Sequence, residues 1–288
     1  MSAVAYHEGE WNASRQRLHY RFWMPQAPNA LLVVIHGFGE HGGRYVPFAE
    51  ALAGQDIAVG IPDLLGHGLS SGTRGDVRDL RDCVAQLESL TADVFVAQSR
   101  QTAYALFGHS FGGLVAIRWA LGEPKGLTRV VIQSPLLEVG FPLPRMKAVG
   151  ATVLSAVWPS FTIAMDLDVA ALSHDQAVVQ AYRTDPLVHN CMTAGTYREI
   201  VTVRDQVMAQ ADRLRIPTLL LCGAADRIIS VPTAQRWYEQ LRCVKRCCIF
   251  PGAYHELHHE PIQHQVIRLM TGWVRGDGAN STTAVGTS

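Results

Sequence analysis

The sequence lacks the features that mark several common protein classes. None of its six cysteines forms a C-x-x-C pair, so a cysteine-bound zinc site or a redox motif is not expected. No run of lysine or arginine is present and the formal net charge is zero, which leaves no basic surface for nucleic acid. We therefore expect no nucleic-acid partner.

Long apolar segments are also missing. The N-terminal stretch has no apolar core of the kind found in signal peptides, and runs such as 30-ALLVVI-35 are too short to span a bilayer. We therefore expect a cytoplasmic protein with reduced cysteines. Cys222 is expected to be a buried thiol, and Cys247 and Cys248 to point to opposite faces of one strand.

Short β-rich runs alternate with longer helical patterns along most of the chain. This rhythm predicts an α/β fold with a mostly parallel central sheet flanked by helices. The predicted strands cover 16–24, 30–35, 57–63, 103–107, 128–134, 217–223 and 245–250, and the predicted helices cover 79–100, 112–121 and 261–274.

The rhythm breaks after Ser134, where several helical patterns follow one another without a convincing strand. We therefore divide the chain into a core of residues 1–134 and 211–275 and a helical cap insertion of residues 135–210. The tail 276–288 is rich in Gly, Ser and Thr and is expected to be disordered.

A nucleophile motif lies at the junction of a predicted strand and helix. The sequence 108-GHSFGG-113 contains G-x-S-x-G, and glycines at 108 and 112 would allow the tight turn that exposes Ser110 at the sheet edge. The alternative is a glycine-rich turn with a serine of no catalytic importance.

A serine hydroxyl needs a base, and that base needs an acid to orient it. Asp226 and His255 each follow a late predicted strand, which gives the chain order Ser, Asp, His typical of hydrolases with this kind of turn. We predict that Ser110, Asp226 and His255 are catalytic. The alternatives are that Asp226 only caps the next helix and that His255 is an ordinary loop histidine.

Two backbone amides are candidates for an oxyanion hole. Phe111 directly follows the nucleophile, and Phe38 lies in the glycine-rich loop 36-HGFGEHGGRY-45. A flexible turn or a phosphate-binding loop is the alternative for that loop. A second glycine-rich loop, 63-DLLGHGLS-70, is expected to be structural, with Asp63 and Ser70 bonding loop amides.

These motifs together resemble the monoacylglycerol lipase and lysophospholipase branch of the α/β-hydrolases, from about residue 15 to residue 275. The resemblance rests on 36-HGFGEHGGRY-45, 63-DLLGHGLSSG-72, 108-GHSFGG-113, 185-DPLV-188, 223-GAADRIIS-230 and 254-YHELHHE-260. It implies an α/β-hydrolase fold with a helical cap, the same catalytic triad and oxyanion hole, and no cofactor.

The resemblance also implies a substrate. It suggests that Glu40, Arg44 and His258 bind the glycerol headgroup of a monoacylglycerol or a similar single-chain lipid ester. Apolar cap residues would contact the acyl chain, with ordinary packing of the cap against the core as the alternative; they include Phe141, Leu143, Val153, Leu154, Trp158, Phe161 and Ile163. The cap would also contact membrane surfaces transiently. A lysophospholipase, a short-chain carboxylesterase and a non-catalytic binding module on the same fold are the alternatives.

A further alternative comes from the stretch 254-YHELHHE-260, which contains H-E-x-x-H, the zinc-binding pattern of metalloproteases. That pattern needs a sustained helix, yet Pro251-Gly252 precedes it and Pro261 follows it. We therefore predict no metal site. We expect Glu256, His259 and Glu260 to cap or pack the turn that leads to Pro261.

Overall fold

The fold is built around an eight-stranded sheet. The computed structural model describes residues 3–13, 16–140 and 154–277. The strands are β1 Val4–Ala13, β2 Gln16–Pro25, β3 Ala30–Ile35, β4 Ile57–Pro62, β5 Tyr104–His109, β6 Leu127–Gln133, β7 Thr162–Ala164, β8 Cys191–Thr193, β9 Thr218–Gly223 and β10 Lys245–Phe250. The main sheet has the order β1-β2-β4-β3-β5-β6-β9-β10. From β4 to β10 all neighbours are parallel, which confirms the predicted mostly parallel sheet.

Helices cover both faces of this sheet. Among the described residues, the α-helices of eight or more residues are α1 Val46–Ala53, α2 Leu80–Leu90, α3 Phe111–Ala120, α4 Gln176–Thr184, α5 Ala194–Ala209, α6 Val231–Gln240 and α7 Gln263–Arg275. Helices α2, α3 and α6 pack on one face, and α1 and α7 pack on the other. Cys247 packs against the first of these cores and Cys248 against the second, which confirms their expected opposite orientation.

The first strand is absent from the sequence-based prediction. Strand β1 pairs antiparallel with β2 over its whole length, from Val4 opposite Pro25 to Ala13 opposite Gln16. Because β1 is an edge strand with mostly exposed side chains, it lacks the buried alternating pattern by which a strand is recognised.

The segment between β6 and β9, called the cap from here on, contains α4 and α5. It also contains two short strands that the sequence did not indicate, since β7 and β8 pair antiparallel. Each has only three residues, too few for a periodic pattern. Phe141, Leu143 and Val153, like most of the tail, lie outside the described residues.

None of the helices in the described ranges combines the length and apolar character that crossing a bilayer requires.

Candidate active site

Four loops meet at one edge of the sheet. Phe38 follows β3, Ser110 follows β5, Asp226 follows β9 and His255 follows β10. These four strands belong to the parallel part of the sheet, so their carboxyl ends lie on the same side. Open α/β sheets bind their ligands at this side, and the predicted site residues converge there.

Ser110 occupies a strained turn between β5 and α3. Its backbone has φ 54° and ψ −115°, a conformation that is rare for a residue with a side chain. A Cβ atom on Gly108 would lie 2.3 Å from the carbonyl oxygen of Gly112, and one on Gly112 would lie 2.2 Å from that of Ile35. The turn therefore requires both glycines, and it presents Ser110 at the start of the helix.

Asp226 and His255 are directly hydrogen-bonded. The Nδ1 atom of His255 lies 2.7 Å from Oδ2 of Asp226, and both side chains are buried. The other carboxylate oxygen accepts the backbone amides of Ile228 and Ile229 at 2.8 and 3.1 Å. Ser230, and not Asp226, caps helix α6, so the alternative role for Asp226 is excluded.

The pair shifts the pKa of both members. Burial alone would raise the pKa of the Asp226 carboxyl, but the charge and hydrogen bond of His255 outweigh it and the pKa is lowered. Burial alone would lower the pKa of His255, but the charge and hydrogen bond of Asp226 outweigh it, with help from Glu256 and Glu40, and the pKa is raised. Asp226 therefore stabilises the imidazolium form of His255 relative to the neutral ring.

Two more histidines and a glutamine support this site. The ring centroids of His109 and His255 lie 4.6 Å apart. The Gln133 amide nitrogen lies 3.0 Å from Nδ1 of His109 and 2.7 Å from Nδ1 of His258, so it donates to both rings. Burial and the charge of His255 lower the pKa of His109 to about 3, which keeps that ring neutral. Gln133 was not identified from the sequence, although its place at the end of β6 puts it at this edge.

The two predicted oxyanion donors lie on neighbouring segments, Phe38 in the loop after β3 and Phe111 at the start of α3. The Phe38 and Phe111 rings pack edge to face with centroids 5.4 Å apart. Phe111 is the first residue of α3, so its N–H has no acceptor within the helix. Gly39 has φ 78°, and a Cβ there would lie 2.4 Å from the carbonyl oxygen of His189 in the cap, so the cap packs tightly on this loop.

The loop after β3 does not suit a phosphate. Residues 37–42 fit the spacing G-x-G-x-x-G of dinucleotide-binding loops, in which free amides hold the anion. Here Oε1 of Glu40 lies 2.6 Å from the Gly37 nitrogen and accepts that N–H. A carboxylate at this position would repel a phosphate, which argues against the phosphate-binding alternative.

The predicted headgroup residues Glu40 and Arg44 lie in a buried ion network. Arg44 contacts Glu40 and binds Glu256 through two hydrogen bonds of 2.7 and 2.8 Å. The third predicted headgroup residue, His258, has no exposed surface and stacks on Tyr45 with ring centroids 4.6 Å apart.

The structure argues against a zinc site in 254–260. Only Leu257–His259 form a helical turn, a 3-10 helix of three residues, so no helix presents His255 and His259 together. Glu256, His258 and His259 bring one donor atom each within 4.8 Å of one another. The guanidinium of Arg44 already binds the Glu256 carboxylate, so these residues do not fit a metal ion.

Glu256, His259 and Glu260 were expected to cap or pack the turn that leads to Pro261. Glu256 and His259 pack within it, since Oε2 of Glu256 lies 2.8 Å from Nδ1 of His259, but no carboxylate caps it. The helical turn has no side-chain cap, and Glu260 binds the backbone nitrogen of His174 at 2.7 Å and its Nδ1 at 2.8 Å. Main-chain bonds from His255 and Glu256 to Ala171 and Leu172 join the same loop to the cap.

The loop after β4 is structural, as predicted. Asp63 accepts the backbone amides of Gly42 and Leu69 at 2.7 and 2.9 Å, and the Ser70 hydroxyl donates to the Asp63 carbonyl at 2.6 Å. Arg21 also binds the Asp63 carboxylate. Asp63 therefore holds two loops together rather than serving the histidine at 255.

Comparison with known proteins gives a consistent result. A profile of the family described as serine aminopeptidase, S33, matches residues 26–262. Human monoglyceride lipase is 32% identical over 95% of this chain and 91% of its own length. The chain also matches a Dictyostelium discoideum protein described as an uncharacterized abhydrolase domain-containing protein at 29% identity, spanning 28% of that longer protein.

A solved structure agrees with these relatives. The monoacylglycerol lipase of Paleococcus ferrophilus superimposes with a TM-score of 0.82 at 30% identity, over 90% of this chain and 98% of that one. The profile match and this identity extend over both the sheet and the cap. The chain therefore belongs to the serine aminopeptidase S33 family of α/β-hydrolases and is a serine hydrolase.

Proposed function

We propose that Ser110, Asp226 and His255 form a catalytic triad that hydrolyses a monoacylglycerol or a similar single-chain lipid ester. The observation that carries this proposal is the 2.7 Å bond between Asp226 and His255 at the sheet edge where the Ser110 turn ends. The names of the full-length relatives support the substrate class.

In the proposed reaction, His255 accepts the Ser110 proton while the Ser110 oxygen attacks the ester carbonyl. Asp226 orients the imidazole through Nδ1 and stabilises its charged form. His255 then protonates the departing alcohol, which leaves an acyl-enzyme. Water, deprotonated by the same histidine, attacks the acyl carbonyl, and His255 returns this proton to the Ser110 oxygen as the ester bond breaks and the fatty acid leaves.

The backbone N–H groups of Phe38 and Phe111 are the proposed donors to the oxyanion. An N–H at the start of a helix is free to donate and lies in the favourable field of the helix dipole. Packing of the two rings and of the cap on Gly39 supports the fixed geometry that such donors require.

The substrate would bind between the core, residues 1–134 and 211–275, and the cap, residues 135–210. Glu40, Arg44 and His258 are the proposed residues around the headgroup. The exposed parts of this cluster are small, since the side chains of Arg44 and Glu40 are 7% and 3% exposed and His258 is fully buried. A headgroup would therefore meet the rim of the cluster and not its interior.

The cap also carries an exposed apolar patch. Val157, Trp158 and Phe161 are 80%, 57% and 39% exposed, and the rings of Trp158 and Phe161 touch with centroids 5.4 Å apart. Exposed apolar groups of this kind are typical of contact surfaces. We propose that this patch contacts lipid surfaces, which suits a substrate that resides in them.

A substrate panel tests the proposal. The value of kcat/KM is measured for 1-oleoylglycerol, a lysophosphatidylcholine and p-nitrophenyl butyrate, with the natural chain and with Ser110→Ala. We expect the highest value for the monoacylglycerol and no hydrolysis by the variant. A higher value for the lysophospholipid would reassign the substrate, and hydrolysis by Ser110→Ala would exclude the proposed nucleophile.

A further inference from the structure

A buried carboxylate beside the proposed base has no part in the reaction described above. Glu256 directly follows His255 in the chain and is 1% exposed. Its two oxygens lie 2.7 and 2.8 Å from Nη1 and Nη2 of Arg44, a paired contact between groups 212 positions apart. The loop that carries His255 is therefore tied to the loop that follows β3.

The contact continues through a second carboxylate. Arg44 also donates to Glu40, and Oε1 of Glu40 accepts the N–H of Gly37 at 2.6 Å and the hydroxyl of Tyr45 at 2.7 Å. Gly37 is the residue before Phe38, whose N–H is a proposed oxyanion donor. A continuous chain of polar contacts therefore joins the base loop to the oxyanion loop.

His259 provides a second link between the same two loops. Its Nδ1 lies 2.8 Å from Oε2 of Glu256, and its Nε2 lies 2.9 Å from the carbonyl oxygen of Arg44. His259 therefore contacts the Glu256 side chain in the base loop and the Arg44 main chain in the loop after β3.

We propose that Glu256 is a positioning residue which, through Arg44 and Glu40, fixes the base loop relative to the oxyanion loop. The proposal rests on the hydrolase site proposed above. A hydrolase of this type works only when its base and its oxyanion donors are held in register with the nucleophile. The two loops are far apart in the chain, and the Arg44 guanidinium is shared between them.

The contacts of Arg44 favour this role over headgroup binding alone. Both of its terminal nitrogens are used by carboxylates, and the face of the guanidinium lies 4.7 Å from the centre of the Tyr182 ring in the cap. Few donors remain for a substrate hydroxyl. A positioning role predicts an effect on every ester, including one without a glycerol headgroup.

A double-mutant cycle with p-nitrophenyl butyrate, which has no glycerol, tests the proposal. The value of kcat/KM is measured for Glu256→Gln, Glu40→Gln and the double variant. We expect each single change to lower it by about tenfold or more, since small displacements of catalytic groups are costly. Because both act on one guanidinium, the double variant should lose little more than either single variant.

Glu260→Gln provides the matched control, because Glu260 is a buried carboxylate of the same loop that binds His174 and not Arg44. In the double variant Glu260→Gln, Glu40→Gln, the fold-loss of kcat/KM should equal the product of the two single fold-losses. Should the glutamine variants fail to fold, the same cycle is measured with Glu256→Asp and Glu40→Asp, which keep the negative charges but have side chains one methylene shorter.

The pH profile provides a second measurement. The charged or titratable groups around His255 are Asp226, Glu256, Glu40 and His109. Removing the Glu256 charge should shift the acid limb of kcat/KM to lower pH, and Glu260→Gln should leave that limb in place.

Two results would overturn the proposal. One is a double variant, Glu40→Gln with Glu256→Gln, whose fold-loss of kcat/KM equals the product of the two single fold-losses. The other is unchanged turnover of p-nitrophenyl butyrate with a loss confined to 1-oleoylglycerol, which would assign the cluster to the headgroup. Failure of the proposed nucleophile would look different, because Ser110→Ala would then retain activity in an otherwise natural chain.

Discussion

The Nδ1 atom of His255 lies 2.7 Å from Oδ2 of Asp226, and the two residues follow adjacent parallel strands, β10 and β9. A carboxylate only accepts, so Nδ1 carries the hydrogen of this bond. The neutral ring then has its lone pair on Nε2, the nitrogen that would accept the proton of a serine hydroxyl.

Replacing the acid of this pair should disable the base. In Asp226→Asn the amide nitrogen would donate to Nδ1 and place the hydrogen on Nε2, where it cannot accept the serine proton. We expect kcat to fall by about 10⁴-fold, as in other serine hydrolases with this change, with KM little altered. Steady-state kinetics on p-nitrophenyl butyrate measure this. A loss of less than tenfold would show that Asp226 does not orient the base.

The pH dependence of activity follows from the raised pKa of His255. Burial would lower that pKa, but the charge and bond of Asp226 outweigh it, so the value exceeds the ordinary 6.5. Only the neutral ring acts as a base. We therefore expect kcat/KM, measured from about pH 5 to about pH 9, to fall as the pH drops through a midpoint above 6.5. A midpoint clearly below 6.5 would contradict the raised pKa.

The raised pKa of His255 affects folding stability in the opposite direction from activity: activity rises with pH, whereas this contribution to the free energy of unfolding falls with pH. The imidazolium bound to Asp226 stabilises the fold fully below pH 6.5, and this contribution is lost as the pH rises through the raised folded-state pKa. Asp226 has a lowered pKa, so its own contribution is present above 3.8 and is lost as the pH falls through the folded-state value.

The turn at Ser110 should not tolerate a methyl group. In Gly108→Ala the new Cβ would lie 2.3 Å from the Gly112 carbonyl oxygen, so backbone must move. We expect a loss of about 1–3 kcal/mol in unfolding free energy, measured by urea denaturation, together with a large loss of activity.

The control for this variant is Gly272→Ala in helix α7. A Cβ there meets nothing within 4 Å, so alanine should stabilise the helix by about 0.5–1 kcal/mol without affecting turnover. Equal effects of the two glycine substitutions would show that the close contact at Gly108 is unimportant.

The apolar patch on the cap should matter for substrates in a membrane. Trp158→Ser removes a ring that is 57% exposed, so it should change the free energy of unfolding by less than about 0.5 kcal/mol. We expect weaker sedimentation with phosphatidylcholine vesicles and slower hydrolysis of 1-oleoylglycerol presented in them. Turnover of dissolved p-nitrophenyl butyrate is the reference. Unchanged binding of Trp158→Ser to the vesicles would show that the patch does not contact lipid surfaces.

Much of this site could be predicted from the sequence because strand order determines where loops meet. Ser110 and Asp226 follow buried strands and His255 follows a half-buried edge strand, all three recognisable as β-rich runs, and parallel strands bring such loops to one edge. The strand that was missed, β1, is an exposed edge strand, and the cap strands β7 and β8 are too short for a periodic pattern.

The side-chain partners within the site could not be predicted in this way. Glu256 and Arg44 are 212 positions apart, and no local pattern in either loop shows that they pair. The H-E-x-x-H spacing places its histidines on one face only when the segment is an α-helix. Here the segment has a single 3-10 turn, so its side chains contact different partners. Motif spacing predicts side-chain geometry only where the local backbone is regular.

The identity of the nucleophile is the central claim, and covalent labelling tests it most directly. The natural chain is treated with an alkyl fluorophosphonate, and the modified peptide is located by mass spectrometry, with Ser110→Ala in parallel. We expect a single adduct on Ser110, complete loss of ester hydrolysis upon labelling, and no adduct in the variant. An adduct at another residue, or full activity in a chain labelled at Ser110, would contradict the account.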